Sequence, residues 1–180
     1  MEEADKSILL TLARDSITTY FKEEKPDISK AKHLNQKLGV FVTLHKKGDL
    51  RGCIGFPHAI HPLYQGVIEG ARSAAFGDPR FPPLLETELS HIDIEISVLT
   101  KPTRIHVKRA DDYLKEINVG QDGLIINNAG LLLPQVATEQ DWTAGQFLNA
   151  ICQKAGMPFD AWRDLENHLY KFQAIIFNEK

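Results

Sequence analysis

The sequence predicts an α+β fold: two similar strand-helix-helix-strand repeats sharing one barrel-like, mainly antiparallel sheet. Three observations predict it. Apolar and polar residues alternate with period two in Val40–His45 and in Ile92–Val98. The order hairpin, long helix, short helix, strand occurs twice, with starts about 80 residues apart. Neither half is expected to bury its sheet face alone, so the halves are expected to share one sheet. This reading gives a single domain over residues 5–178, with an N-terminal helix over about 5–24. Repeat one covers about 38–100 and repeat two about 122–178.

The elements follow in order. Ile8, Leu9, Leu12, Ile17, Tyr20 and Phe21 fall at helical spacing, with Asp5 or Ser7 as cap and Pro26 beyond the end. Residues 26–36 read as a polar loop. Val40, Val42 and Leu44 then alternate with Phe41, Thr43 and His45 as a strand. Lys47-Gly48-Asp49 is turn chemistry, and Leu50 to Gly55 returns as the second strand of a hairpin. A helix is predicted from Leu63 to about Phe76, stopped by Gly77-Asp78-Pro79. Leu84 to Leu89 reads as a short helix, and Ile92 to Val98 as a strand.

In the second half Asp111 to Ile117 is a helical insert. Leu124–Asn127 and Leu131–Val136 are strands joined by Asn127-Asn128-Ala129-Gly130. A helix from about Thr143 to Ala155 turns Phe147, Leu148, Ile151 and Cys152 inward and ends at Gly156. A short helix over Asp160–Leu165 and a closing strand over Tyr170–Phe177 complete the chain.

Composition bounds the function. A chain of 180 residues buries about 70% of its unfolded surface and needs no metal or disulfide to fold. Hydrophobic residues make up 43% and charged residues 25%, which is globular composition. The net charge of −3 is opposite to the basic surplus of a duplex-coating protein, so nucleic-acid binding is disfavoured. Two cysteines far apart, Cys53 and Cys152, make neither a disulfide framework nor a zinc ribbon. No apolar run spans a bilayer, and the acidic start lacks a signal core. The expectation is a soluble, cytoplasmic protein with reduced thiols and no membrane contact.

Leu50-Arg51-Gly52-Cys53-Ile54-Gly55 is the segment least explained by strand propensity. Two glycines in six residues imply close approach of a backbone or a ligand, or a bulge. Simple alternation puts Arg51, Cys53 and Gly55 on one face. A guanidinium beside a thiol favours the thiolate, as in reactive cysteines. The opposing reading is a small buried filler in tight packing.

The hexapeptide does not stand alone. It is followed by Asp78-Pro79-Arg80-Phe81-Pro82-Pro83, by Ile92-Asp93-Ile94-Glu95-Ile96-Ser97-Val98-Leu99 and by Leu131-Leu132-Leu133-Pro134-Gln135-Val136. Phe147-Leu148, Cys152, Lys154-Ala155-Gly156, Trp162 and Tyr170-Lys171-Phe172-Gln173 come later. In these blocks the chain resembles the AMMECR domain family, of the AmmeMemoRadiSam type. The resemblance implies an α+β fold with two structural repeats, and a functional site at the hexapeptide. It also implies Memo-like and radical-SAM proteins as partners, but no named reaction.

The candidate catalytic residues are therefore Cys53 and Arg51. The candidate binding residues are Gly52, Ile54, Gly55, Arg72, Asp78, Arg80 and Glu95. Each has a structural reading beside it. Asp93 and Glu95 lie about 7 Å apart on one strand face, as an acid–base pair or as a polar face paired with Arg51, Arg72 or Arg80. Arg72 is a clamp, or a partner of Glu69 or of the loop. Asp78-Pro79-Arg80 is a turn before it is a binding loop. Cys53, His58 and His61 are metal-capable but form an incomplete set, so no metal and no cofactor is expected. Cys152 reads as core, and Trp142 and Trp162 as packing anchors. Two readings stay open, an enzyme-system component that uses Cys53 and Arg51, and a non-catalytic adaptor that docks protein or peptide. The hexapeptide is expected to border the main concavity, and nothing in the residues fixes the oligomeric state.

Overall fold

The computed structural model describes residues 1–179. The chain forms two compact units, Met1–Leu99 with the last strand from Ile175, and Thr100–Ala174.

The first unit begins with α1 (Glu3–Phe21). Its start has Glu2 as N-cap with no side-chain cap. Asp5 instead bonds His33 at 3.0 Å, and the Ser7 carbonyl accepts the Thr11 hydroxyl. The expected Asp5 or Ser7 cap is thus corrected: both lie inside the first two turns. The helix stops at Phe21, and Glu23 takes a left-handed φ of 55°. β1 (Val40–Lys46) and β2 (Asp49–Phe56) form a hairpin, closed by Lys47 and Gly48 at φ 55° and 89°. Positive φ at both central residues matches the right-handed strand twist. α2 (Leu63–Phe76) crosses behind the hairpin, and a 3₁₀ turn over Glu86–His91 leads into β3 (Ile92–Leu99). That turn replaces the short helix expected over Leu84–Leu89.

Val40, Val42, Leu44, Ile92, Ile94, Ile96 and Val98 are all buried on one face of this sheet. Leu9, Ala13 and Ile17 of α1 and Leu63, Val67, Ala71 and Ala74 of α2 complete the core. α2 comes close because its sheet-facing side is small. A Cβ at Gly66 would stand 2.8 Å from Val40 Cγ1, and one at Gly52 only 2.1 Å from the Ala74 carbonyl oxygen.

The second unit opens with β4 (Thr103–Arg104) and a 3₁₀ turn running into α3 (Tyr113–Glu116). β5 (Gly123–Ile126) and β6 (Gly130–Leu132) form its hairpin. Asn127 and Asn128 both have positive φ there, and the Ala129 N–H donates to the Ile126 carbonyl. The strand expected over Leu131–Val136 ends early, because Pro134 opens α4 (Pro134–Glu139). Proline at the first helical position forfeits no hydrogen bond there. α5 (Ala144–Lys154) begins with a capping box between Thr143 and Gln146. A 3₁₀ turn over Ala161–Arg163 precedes β7 (Leu169–Phe172). Phe147, Leu148, Ile151, Cys152 and Trp162 form the core of this unit.

The single shared, barrel-like sheet is corrected by the topology. The described residues form two four-stranded antiparallel sheets, ordered β2-β1-β3-β8 and β4-β7-β5-β6, and neither closes. The predicted closing strand over Tyr170–Phe177 is two strands. β7 ends at Phe172 in the second sheet, and β8 (Ala174–Asn178) joins the first. Gln173 between them donates its N–H to the Thr100 hydroxyl and accepts from the Thr100 N–H, both at 2.8 Å. With those backbone groups engaged, Gln173 interrupts the ladder, and period-two alternation alone does not register the break.

Replacing Gly52 with Ala should cost about 1–3 kcal/mol in urea unfolding, because the new methyl meets helix backbone rather than a movable side chain. Gly145→Ala, where a Cβ finds ordinary contact at 3.5 Å from Leu114 Cδ2, should be neutral or stabilising. Equal losses in both variants would show that the helix approach is not what requires glycine.

Candidate functional site

The hexapeptide occupies most of β2, an edge strand of the first sheet. The two-residue turn sets Lys46 opposite Asp49 and His45 opposite Leu50. If that register continued, Val42 would face Cys53, and the whole set Arg51, Cys53 and Gly55 would lie on the core side. The register shifts instead, and Leu44 pairs with Gly52 and Thr43 with Cys53. Arg51 is the extra residue, without a partner on β1. This is a β-bulge, and it transfers every later residue of β2 to the other face. Gly52 and Ile54 turn toward α2, and Cys53 turns to the opposite face of the sheet.

Arg51 and Cys53 therefore do not form the pair that alternation predicts. The Arg51 guanidinium donates to Glu88 from Nε at 3.2 Å and from Nη2 at 3.0 Å. Lys46 reaches the same carboxylate at 2.8 Å. Lys46 pairs across the sheet with buried Ile92, so this cluster lies toward the helix side. The Arg51 and Glu88 side chains are only 11% and 13% exposed. Arg51 and Lys46, with the Leu85 N–H, hold the Glu88 carboxyl down to about 2, against the opposing effect of burial.

Cys53 is half-buried and free. The Thr43 hydroxyl donates to its sulfur at 3.2 Å. Its N–H donates to Asp78 Oδ2 at 2.9 Å, and its carbonyl accepts from Arg80 Nη2 at 3.2 Å. Both backbone groups thus point off the sheet edge, so Cys53 and Thr43 form a non-hydrogen-bonded pair. Such pairs bring side chains closest, which explains the Thr43–Cys53 contact. Asp78 is 4% exposed and also accepts from Arg80 N, Nε and Nη2. Those bonds, led by Arg80, hold its carboxyl far below the usual range. Asp78 in turn raises the Arg80 guanidinium.

Glu95 stands opposite Thr43 on β3, so Cys53, Thr43 and Glu95 form one row across three strands. Asp93 lies in the next row, opposite His45. The expected partners of these carboxylates are engaged elsewhere: Arg51 with Glu88, Arg80 with Asp78, and Arg72 with α1. Arg72 donates to the carbonyls of Ser16 and Glu24 and stacks over Tyr20 at 5.9 Å. It ties the end of α1 to α2, and the expected Glu69 pairing is replaced by these contacts. Gly55 is required by packing, since a Cβ there would be 2.3 Å from the Val40 carbonyl oxygen.

His61 packs edge-on against Phe56 at 5.2 Å, and among the described residues no group of three or more His, Cys, Asp or Glu is arranged to hold a metal. Grooves of about 670 and 340 Å³ run along α1, and one of about 260 Å³ lies on α5; no hexapeptide residue lines any of the three. Cys152 is fully buried on α5, and desolvation pushes its thiol up. No described helix is long and apolar enough to cross a membrane. Sequence reasoning missed Thr43 and Glu88. Thr43 was hidden by the bulge, while the basic pair Lys46 and Arg51 flanking one turn was a signal for a shared carboxylate.

A sequence profile of the AMMECR1 family matches residues 10–177. A protein of Methanothermobacter thermautotrophicus is 48% identical over 95% of this chain and 92% of its own. One from Saccharolobus solfataricus is 46% identical over 96% and 80%. The crystal structure of an uncharacterized protein from Pyrococcus horikoshii superposes with a TM-score of 0.82 at 40% identity, covering all of this chain and 94% of the other.

The Glu88 cluster sets an acid limit on stability. Its carboxyl is depressed in the folded state, so the stabilisation is complete above the ordinary carboxylate pKa of 4.5 and lost as pH falls toward about 2. That difference corresponds to about 3 kcal/mol. Urea midpoints should fall between pH 5 and pH 2, and Glu88→Gln should lower stability at pH 7 while flattening that fall. An unchanged pH dependence in Glu88→Gln would remove the cluster from this role.

Proposed function

The chain belongs to the AMMECR1 family, and on that premise we propose that it is a partner-dependent component of a Memo-like and radical-SAM protein system, with Cys53 as the side chain that meets substrate or partner. The observation that supports this most is the seating of Cys53. Its backbone is fixed on both sides by the buried Asp78 and by Arg80, and its sulfur is oriented by Thr43. A thiol held in one place, partly exposed, beside a cation and in register with a carboxylate, is arranged for chemistry or specific contact rather than for filling space. In this reading Arg51 is a positioning residue: by occupying the bulge and anchoring on Glu88 it sets the register that exposes Cys53.

The second reading is a non-catalytic adaptor that docks protein or peptide. One observation favours it. Arg51 and Gly52 are engaged by the fold, which leaves Cys53 without the guanidinium partner that simple alternation predicts. We also read the common strand order of the two sheets, hairpin return strand, hairpin first strand, post-helical strand and a fourth, as the trace of an internal duplication.

At neutral pH, iodoacetamide should label Cys53 in the native protein, while Cys152 should resist until unfolding, as peptide mass mapping would read. Cys53→Ser should keep the fold, with a stability loss below about 1 kcal/mol, since a half-exposed site hydrates the hydroxyl. Affinity-tagged protein should retain Memo-like and radical-SAM proteins from its own source, and Cys53→Ser should lose them or their product. Native Cys53 that resists the reagent, or failure to retain either partner, would overturn the reading.

A further inference from the structure

The second unit carries a surface feature that the thiol site does not use. One face of α5 presents Gln146, Asn149, Ala150 and Gln153 at helical spacing. Trp142 stands before the helix and Phe159 after it, and together these residues line a cleft of about 260 Å³. Phe159 is 57% exposed, and no other ring stacks on it or on Trp142 among the described residues. Trp142 is half-buried against the core of this unit and shows one surface to the cleft, whereas the exposed Phe159 ring beside a row of amides is not explained by that core.

The amides are oriented. The Trp162 indole N–H donates to Asn149 Oδ1 at 2.7 Å, and Trp162 is 3% exposed. Gln146 Oε1 accepts from the Thr143 N–H at 2.9 Å and from its hydroxyl at 3.0 Å. An indole or backbone N–H can only donate, so in both residues the oxygen is the inward atom. Each NH₂ group is left without an internal partner, and Gln153 adds a third amide with none. No charged side chain lines the cleft. The site thus offers aromatic faces and fixed hydrogen-bond donors at zero charge. That chemistry selects an uncharged ligand with apolar rings and carbonyl acceptors.

A polyproline II segment has those properties. Its pyrrolidine rings pack on aromatic faces, and its carbonyls have no internal partners. The volume also discriminates, since pockets for whole small ligands run from about 300 to 1,000 Å³. A smaller, open cleft takes one or two residues of a longer chain. A sugar fits less well, because its hydroxyls donate as well as accept while two of the three amides show donors only. We propose that the Trp142–Phe159 cleft on α5 docks a proline-containing, extended segment of a partner protein. This inference stands independently of the thiol reading.

The test is an NMR titration of the ¹⁵N-labelled full chain with an oligoproline peptide. The Trp142 indole and the side-chain amides of Gln146, Asn149 and Gln153 should shift saturably, while the Cys53 amide stays in place. Phe159→Ser should weaken binding about tenfold, as loss of a stacking surface does. Asn149→Asp keeps the oxygen that Trp162 needs and removes the outward donor, so it should weaken binding with an unchanged near-ultraviolet dichroism spectrum. Three results would overturn the proposal: no shifts at millimolar peptide, an undiminished affinity in Phe159→Ser, or shifts produced by a cello-oligosaccharide and not by oligoproline.

Discussion

One unpaired residue in an edge strand decides which face of the first sheet carries Cys53. Arg51 has no cross-strand partner, and from that point the pairing of β1 with β2 is displaced by one. Side chains alternate with period two, so a displacement of one inverts the strand. The energetic preference is plain. The unshifted register would take Ile54 off the core it packs against and set Gly55 opposite Val40, forfeiting apolar burial. The bulged register places Gly52 and Ile54 there and carries Arg51 to Glu88 and Lys46 at the sheet end.

The neighbouring elements depend on this choice. α2 lies so close that only glycine fits at position 52, and its last turn delivers Gly77 and Asp78 to the strand edge. Asp78 and Arg80 then occupy the N–H and carbonyl of Cys53, which would otherwise form part of an open ladder. An edge strand left bare invites another chain. Here side chains take that position, and the residue they restrain is the one that bears the thiol. The geometry makes one bulge, one close helix and one buried carboxylate parts of a single arrangement.

Much of this was legible in the sequence. Alternation located β1 and β3, helical spacing located α1, α2 and α5, and Lys47-Gly48 and Asn127-Asn128 marked both hairpin turns. The glycines of the hexapeptide pointed correctly to close backbone approach. The failures share a cause, which is that local patterns do not carry register or sheet membership. Tyr170 to Phe177 reads as one strand because its alternation runs on past Gln173, where the ladder breaks. Leu131 to Val136 reads as one strand until Pro134 is weighed as a helix start. Arg51 and Cys53 are two apart, and only the bulge separates them. The carboxylate that holds Arg51 lies in a turn 37 residues away, so adjacency in the chain could not reveal it.

The bulge also changes what kinds of genetic variation the segment tolerates. Along an ordinary surface loop, losing a residue shortens an excursion and little else. The loss of Asp49 or Leu50 would absorb the bulge: Gly52 would still meet Leu44 and Cys53 would still meet Thr43, but Arg51 would stand opposite His45, on the face away from Glu88. A substitution there alters one side chain, whereas a codon deletion moves an unaltered Arg51 to the other face. In this stretch the number of residues is itself heritable information, distinct from their identity.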